Sequence, residues 1–306
     1  MDGQLADAVG AGASLPYRFP IRQRACLAWY HPHPHGETEN HVYRGMAGFF
    51  FIEDDHPTGA RLPSEYGVDD IPLLVQDIEL GRDGDLVRRK PFYNRAGPLG
   101  AIILANGVVT PYVSITRTLV RLRLLNGSVS RVYNFGFSDD RAFAVVASDG
   151  GLLGAPHFTD RIQLSPGERA DIVLELEPGS RSVLISFPQD LGTDPVNQPF
   201  SGGYDTFAIL EVWAADELDS SRPLPSELVA MGAPREEAAA RTRSFRVSSQ
   251  TINGLTMDMD RIDAKVQGGS TDIWEDDSAM GQFLVVSGEL DEPGPDVSPS
   301  AHEGAH

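Results

Sequence analysis

Between residues 71 and 213 the chain alternates apolar and polar residues in short runs, and this period of two decides its fold class. Val120, Leu122 and Leu124 alternate with Arg121 and Arg123. Tyr133, Phe135 and Phe137 follow, then a run at 143–147, then Ile162 and Leu164. Ala170, Ile172, Leu174 and Leu176 alternate next, then Val183, Ile185 and Phe187, and 207–213 closes the series. Successive residues of a strand point to opposite faces, so each run reads as a strand with one buried face. Arg121 and Arg123 fall on the solvent side in that reading. The turns Asp149-Gly150-Gly151 and Ser165-Pro166-Gly167-Glu168 separate runs, and no convincing helical periodicity intervenes. The pattern is that of an antiparallel β-sandwich.

Composition narrows the function classes. A net charge of −19 is wrong for a nucleic-acid phosphate backbone and for an anionic membrane surface. No apolar run is long enough for a membrane span. The one cysteine, Cys26, excludes an internal disulfide and any multi-cysteine metal site, and its apolar neighbours make it a small buried hydrophobe. Residues 1–4 lack the charged and apolar regions of a signal peptide.

Four of the eight histidines fall in one stretch, Trp29-Tyr30-His31-Pro32-His33-Pro34-His35-Gly36 with His41 beyond it. Histidines at spacing two offer several imidazoles from one extended segment, as a copper or zinc site needs. Pro32 and Pro34 keep the segment extended and remove two backbone donors, so it lies at a sheet edge or runs out of one. A proline-rich edge strand with solvated histidines gives the same pattern.

Along the chain, 17–21, 26–30, 49–52 and 71–80 read as strands. Residues 1–56 form a partial first domain, 57–68 a linker and 69–214 a complete second domain. Residues 215–243 are a second linker with room for one short helix. Residues 244–290 hold too few strands for a sandwich of their own: one at Phe245 and Val247, then an Asn253-Gly254 turn, then 262–266 and 283–286. The acidic, proline-rich tail 291–306 reads as disordered.

The histidine stretch, together with Val42-Tyr43-Arg44-Gly45-Met46-Ala47-Gly48 and Ile52-Glu53-Asp54-Asp55, resembles the multicopper oxidases, in particular their bacterial three-domain, laccase-like branch. The likeness continues through Ile71-Pro72-Leu73-Leu74-Val75-Gln76-Asp77, Leu122-Arg123-Leu124-Leu125-Asn126-Gly127-Ser128 and Gln163-Leu164-Ser165-Pro166-Gly167-Glu168-Arg169. It reappears in Met257-Asp258-Met259-Asp260-Arg261 and Met280-Gly281-Gln282-Phe283, and covers most of 17–286. It implies all-β, cupredoxin-like Greek-key sandwiches, one complete and two partial. It implies copper, a small-molecule electron donor and dioxygen as substrates, and a periplasmic or extracellular place. His31 and His33 fall on the pair that ligates the type 3 coppers. His35 and His41 would stand beside the ligands rather than on the metal.

The departures matter as much. The family's His-Trp-His-Gly motif belongs upstream of His31, and nothing in residues 1–30 matches it. Its His-Pro-x-His-x-His and His-Cys-His motifs belong between Trp274 and Met280, where only Glu275-Asp276-Asp277-Ser278-Ala279 stands. Two readings follow. One is a copper-binding oxidoreductase by family whose turnover the missing ligands preclude. The other is a non-catalytic scaffold or envelope structural protein without a copper cluster. Incomplete domains would leave edges and apolar surface for an oligomer or partner to cover.

Overall fold

A computed structural model describes residues 9–34, 36–54, 61–87, 97–192, 195–230, 236–248, 251–256, 258, 261–265, 270–276 and 281–286. The chain divides into two compact units, Met1–Ala230 and Met231–His306.

In the first unit β1 (Cys26–Tyr30) and β2 (Gly48–Ile52) pair antiparallel as a two-stranded ribbon, with helix α1 (Thr38–Tyr43) between them. The strands β3 (Asp70–Leu80), β4 (Leu86–Val87), β5 (Ile102–Ala105), β6 (Val108–Val109), β7 (Tyr112–Arg117), β8 (Leu119–Asn126), β9 (Tyr133–Phe137) and β10 (Phe143–Ser148) follow. Then come β11 (Gly151–Thr159), β12 (Ile162–Leu164), β13 (Arg169–Glu175), β14 (Arg181–Ser186) and β15 (Phe207–Asp219). One sheet runs β11-β10-β13-β8-β3-β5-β6 with β4 beside β3, and the other runs β12-β9-β14-β15-β7. The all-β sandwich expected from the alternation is present, with the cupredoxin-like fold that the resemblance implies, but its sheets are mixed rather than purely antiparallel, since β3 runs parallel to β8 and β7 parallel to β15.

Between the sheets lie Leu73, Val75, Val120, Leu122, Leu124, Tyr133, Phe135, Phe137, Ile172, Leu174, Leu184 and Val212, each almost wholly buried. The side chains expected to point inward do so on β8, β9 and β13, but β14 has the opposite parity: Leu184 lies in the core with Ser182 and Ser186 buried on its side, while Val183 and Ile185, the residues expected there, are only half-buried.

Three other expectations fail, each for a physical reason. Arg121 and Arg123 are not on a solvated face, for both are buried. Arg121 pairs with Asp171 and Arg123 with Asp70, and the Phe51 ring of β2 lies 5.1 Å from the Arg123 guanidinium. Residues 17–21 are not a strand; Tyr17, Phe19 and Ile21 are about half exposed, and no strand among the described residues pairs with them. Residues 262–265 are likewise irregular, and 266 lies outside the described residues. Alternation marks a segment that fits a sheet, but a strand also needs a partner edge.

A polar cluster ties the two sheets together. Arg131 donates from Nε to Asp77 Oδ2 at 2.9 Å, from Nη1 to Asp205 at 2.6 Å and from Nη2 to the Gly100 carbonyl at 2.8 Å. Ser128 Oγ accepts from the Asp77 amide and shares a hydrogen bond with Tyr133 Oη. Burial, and then the neighbouring Asp77 charge, push the Tyr133 hydroxyl well above the ordinary tyrosine range. The folded state thus holds that proton more tightly than the unfolded chain does. Its contribution is intact below the ordinary tyrosine pKa and is lost as pH rises beyond it towards the folded value. Tyr133→Phe is expected to cost about 1 kcal/mol at neutral pH through the lost hydrogen bond. It should also flatten the alkaline fall in stability. Urea unfolding across the alkaline range checks this, and an unchanged alkaline slope refutes it.

In the second unit β16 (Ala239–Phe245) pairs parallel with β19 (Thr271–Asp276), and β19 pairs antiparallel with β20 (Gly281–Val286). The strands β17 (Val247–Ser248) and β18 (Thr251–Ile252) form a separate pair, followed by the Asn253-Gly254 turn, where both residues have positive φ. Asp272 is buried and takes Arg243 Nε at 2.7 Å, and the rings of Phe245 and Trp274 lie 4.9 Å apart.

Candidate metal centre

The histidine segment leaves the end of β1. Trp29 and Tyr30 are its last strand residues, opposite Phe49 and Gly48. The exposed Tyr30 ring lies across Gly48, where a Cβ would come within 2.5 Å of its tip. Residues 31–34 then run out beyond the ribbon without joining a sheet. The His31 ring packs on Trp29 at 4.4 Å between centroids, and the His33 ring lies 5.7 Å from His31, tilted by 36°. His31 Nδ1 is 3.1 Å from the Pro32 carbonyl. With the proton on Nδ1 it donates there and leaves Nε2 as a free ligand atom. His33 is exposed.

His41 sits on α1, a helix the alternation did not foretell. Its six residues include histidine, asparagine, threonine and valine, all modest helix formers. The helix is made by its ends and its contacts. Thr38 Oγ1 donates to the Pro34 carbonyl, and Gly45 at φ 82° lets its own amide reach Val42 O and the Met46 amide reach His41 O. That is the paired closure of a helix with a left-handed glycine just past its end. Gln76 Nε2 donates to the Val42 carbonyl, and Tyr43 Oη donates to Val87 O while accepting from the Glu79 amide. His41 Nδ1 is buried without a hydrogen-bond partner among the described residues. His35 lies outside the described residues.

The ribbon that carries these histidines is fixed by residues the sequence did not single out for that task. Arg169 donates from Nε to the Leu27 carbonyl at 3.0 Å while its Nη1 holds Asp149 at 2.7 Å. Gly151 lies so close to Ala25 O that a Cβ would meet it at 2.4 Å. The signal was present in Asp149-Gly150-Gly151 and in Arg169, but each read only as a turn or its edge.

A copper cluster needs imidazoles converging from several segments. Among the described residues no three His, Cys, Asp or Glu side chains converge so as to hold one ion. His31 and His33 are near each other and could serve one ion, or two adjacent ones, only with ligands from elsewhere. The described residues do not fit a trinuclear centre. Cys26, which is buried on β1, is not placed to supply a copper thiolate beside them. No helix among the described residues is long and apolar enough to cross a membrane.

Known proteins give the context. The multicopper oxidase family profiles match residues 1–57 and 106–209. Cell division protein FtsP of Rahnella sp. is 37% identical over 279 residues, which cover 88% of this chain and 58% of that protein. FtsP of Pectobacterium atrosepticum is 35% identical over 285 residues, with 89% and 58% covered. Among solved structures, the laccase-like multicopper oxidase CueO of Ochrobactrum sp. superposes with a TM-score of 0.74 at 30% identity, covering 86% of this chain and 61% of that one. The McoA multicopper oxidase of Aquifex aeolicus gives 0.72 at 30% identity, with 84% and 59% covered. The chain thus spans less than two thirds of the length of each of these relatives. With the fold and both profiles in agreement, the chain belongs to the multicopper oxidase family.

Proposed function

We propose that this chain is a cupredoxin-like scaffold that works without a copper cluster, in the periplasm, in the kind of role named for its FtsP relatives, cell division. One observation carries the reading. The strands β19 and β20 pair directly, from Thr271 opposite Val286 to Asp276 opposite Gly281, with only residues 277–280 between them. This is where the resemblance puts the segment bearing the type 1 thiolate and most cluster ligands. Only four residues separate the flanks of that segment here. Two imidazoles cannot hold three coppers, and without a thiolate site electrons have no entry by the family's route. The identity to FtsP over most of the chain supports the division role, and the family resemblance supports the periplasmic place.

The test is copper content and oxygen consumption of the whole chain after reconstitution. The expected result is at most one weakly held copper, no blue thiolate absorption and no turnover of phenolic donors. Three or four coppers with oxygen consumption would overturn the scaffold reading. A fluorescent fusion should gather at the division septum, and a uniform distribution would remove the division role.

The paired rings of His31 and His33 favour one secondary property, loose binding of a single copper ion at His31 Nε2 and His33. Replacing both with alanine is expected to abolish that uptake, measured by equilibrium dialysis. Unchanged uptake moves the ion elsewhere, most plainly to His302 and His306, which lie outside the described residues.

A further inference from the structure

The chain contains three Asn-Gly pairs, beginning at Asn106, Asn126 and Asn253. Asparagine is one of the thermally labile residues. Its weak point is the carboxamide carbon, which the amide nitrogen of the next residue can attack. A glycine in second place leaves that nitrogen unscreened, since it carries no Cβ. What holds each carboxamide and each glycine amide decides which pair reacts in the folded chain.

Asn126 is shut away. It is wholly buried, and its Nδ2 donates to the Arg131 and Leu164 carbonyls at 2.7 and 2.9 Å. Its Oδ1 accepts from the Ser128 amide at 3.0 Å. The Gly127 amide, which would be the nucleophile, donates to the Val75 carbonyl at 2.8 Å. Reaction there requires the sandwich to open.

The other two pairs form a matched comparison. Asn106-Gly107 joins β5 to β6, and Asn253-Gly254 turns the chain between Ile252 and Leu255. Both pairs are exposed. Both have positive φ at each residue, 49° and 80° in the first and 53° and 75° in the second, as a two-residue Asn-Gly turn prefers. A Cβ on either glycine would meet nothing within 4 Å. The carboxamides are what differ. At Asn106 both ends are held, for Oδ1 accepts from the Leu74 amide and Nδ2 donates to the Pro72 carbonyl, each at 2.9 Å. Both partners belong to β3, which lies inside the larger sheet. At Asn253 only Oδ1 is held, by the Arg246 amide at 2.8 Å. Among the described residues nothing accepts from its Nδ2, the leaving group, or from the Gly254 amide. Its anchor is slight as well. The strands β17 and β18 have two residues each, and so short a pair is marginal alone.

We propose that Asn253 is a site of spontaneous modification, at which the chain closes on itself and then takes up water. The Gly254 nitrogen gives up its proton and bonds to Asn253 Cγ. The Cγ–Nδ2 bond breaks, and ammonia leaves with that proton. Water then opens the cyclic imide at one of its two carbonyl carbons, returning a proton to the ring nitrogen. One opening gives aspartate and the other isoaspartate, with no oxidant or reductant in either. The two products act differently on the turn. Aspartate keeps an oxygen for the Arg246 amide and adds charge to that hydrogen bond. Isoaspartate carries the main chain through Cγ, lengthens the turn by one carbon and withdraws the acceptor. The β17–β18 pair therefore survives the first product and comes apart with the second. This inference is independent of the copper and division readings.

Ageing the whole chain at mildly alkaline pH tests it, with the three pairs followed by peptide mass spectrometry and isoaspartate counted by enzymatic methyl transfer. The expected result is product at Asn253 growing about fivefold faster than at Asn106, as one further hydrogen bond on the Asn106 carboxamide would give. Asn126 should react slowest. In denaturant the three rates should converge. Asn253→Gln disfavours the ring closure and should remove most of the isoaspartate signal. Exchange of the Arg246 amide should accelerate in the aged chain and stay unchanged in fresh Asn253→Asp. Product at Asn106 growing as fast as at Asn253, a ranking that survives denaturant, or an isoaspartate signal untouched by Asn253→Gln would each overturn the proposal.

Discussion

Replacing Arg131 with methionine is expected to lower the unfolding free energy of the first unit by about 3–5 kcal/mol, the range for removing one partner of a buried ion pair. The guanidinium is 4% exposed and its partner Asp77 1%. Burial works against the charge on Arg131, and the fields and hydrogen bonds of Asp77 and Asp205 more than offset it, so its pKa is raised. Methionine keeps much of the packing on the Phe207 ring, which lies 4.7 Å from the guanidinium carbon, but none of the donors. Asp77 would then keep one donor to its carboxylate, the Gly100 amide at 2.7 Å, since its Oδ1 already has no hydrogen-bond partner. The Gly100 carbonyl and Asp205 lose theirs as well. The cost is the stranded carboxylate rather than the pair as such, so the Asp77→Leu, Arg131→Met double variant should be less destabilised than the sum of its single changes. Denaturant titration of all three variants decides the matter. Strict additivity would show that Arg131 acts through packing alone.

Much of this fold is legible in the sequence because the sandwich writes itself as period two. Phe135, Phe137, Ile172 and Leu174 are where alternation puts them, because a core between two sheets admits only one parity of each strand. The same rule is blind to what covers the second face. It assigns Arg121 and Arg123 to water, and nothing in their own strand reveals that Asp70 and Asp171 stand beside them under Phe51. The histidine stretch is legible as a metal motif because spacing two and two prolines fix a local geometry. Its surroundings are not, because α1 owes its existence to a glycine at its end and to Gln76 and Tyr43 reaching across from or to β3. Residues 15–22 show the opposite limit. They have the pattern of a strand but pair with no strand among the described residues, since pairing depends on an edge that no local pattern supplies.

The second large effect is expected at Arg123, where stability and the candidate metal segment meet. Four charges lie under the ribbon across three strands, Asp171 on β13, Arg121 and Arg123 on β8 and Asp70 on β3, and all are buried. Burial opposes the charge on Arg123, but hydrogen bonding to Asp70 and the fields of Asp70, Asp171 and Glu53 raise its pKa nonetheless. Its Nε donates to Asp70 Oδ1 at 2.6 Å while the face of the same guanidinium meets Phe51. Arg123→Met therefore strands Asp70 and removes the cation that the Phe51 ring covers. We expect a loss of about 3–5 kcal/mol for the stranded carboxylate, with about 1 kcal/mol more from the ring contact. The second part acts on the ribbon alone. Amide exchange of β1 and β2 should accelerate more than that of β8 to β10, because the ribbon's remaining anchors are chiefly Arg169 on Leu27 O and the close seat of Ala25 on Gly151. Arg121→Met, which strands Asp171 but touches no ring of the ribbon, should slow no folding element selectively and should lower all protection together. Equal acceleration of β1, β2 and the sheet in the Arg123 variant would show that the ribbon opens only with the whole unit. His31 and His33 would then stand on a platform as firm as the sandwich itself.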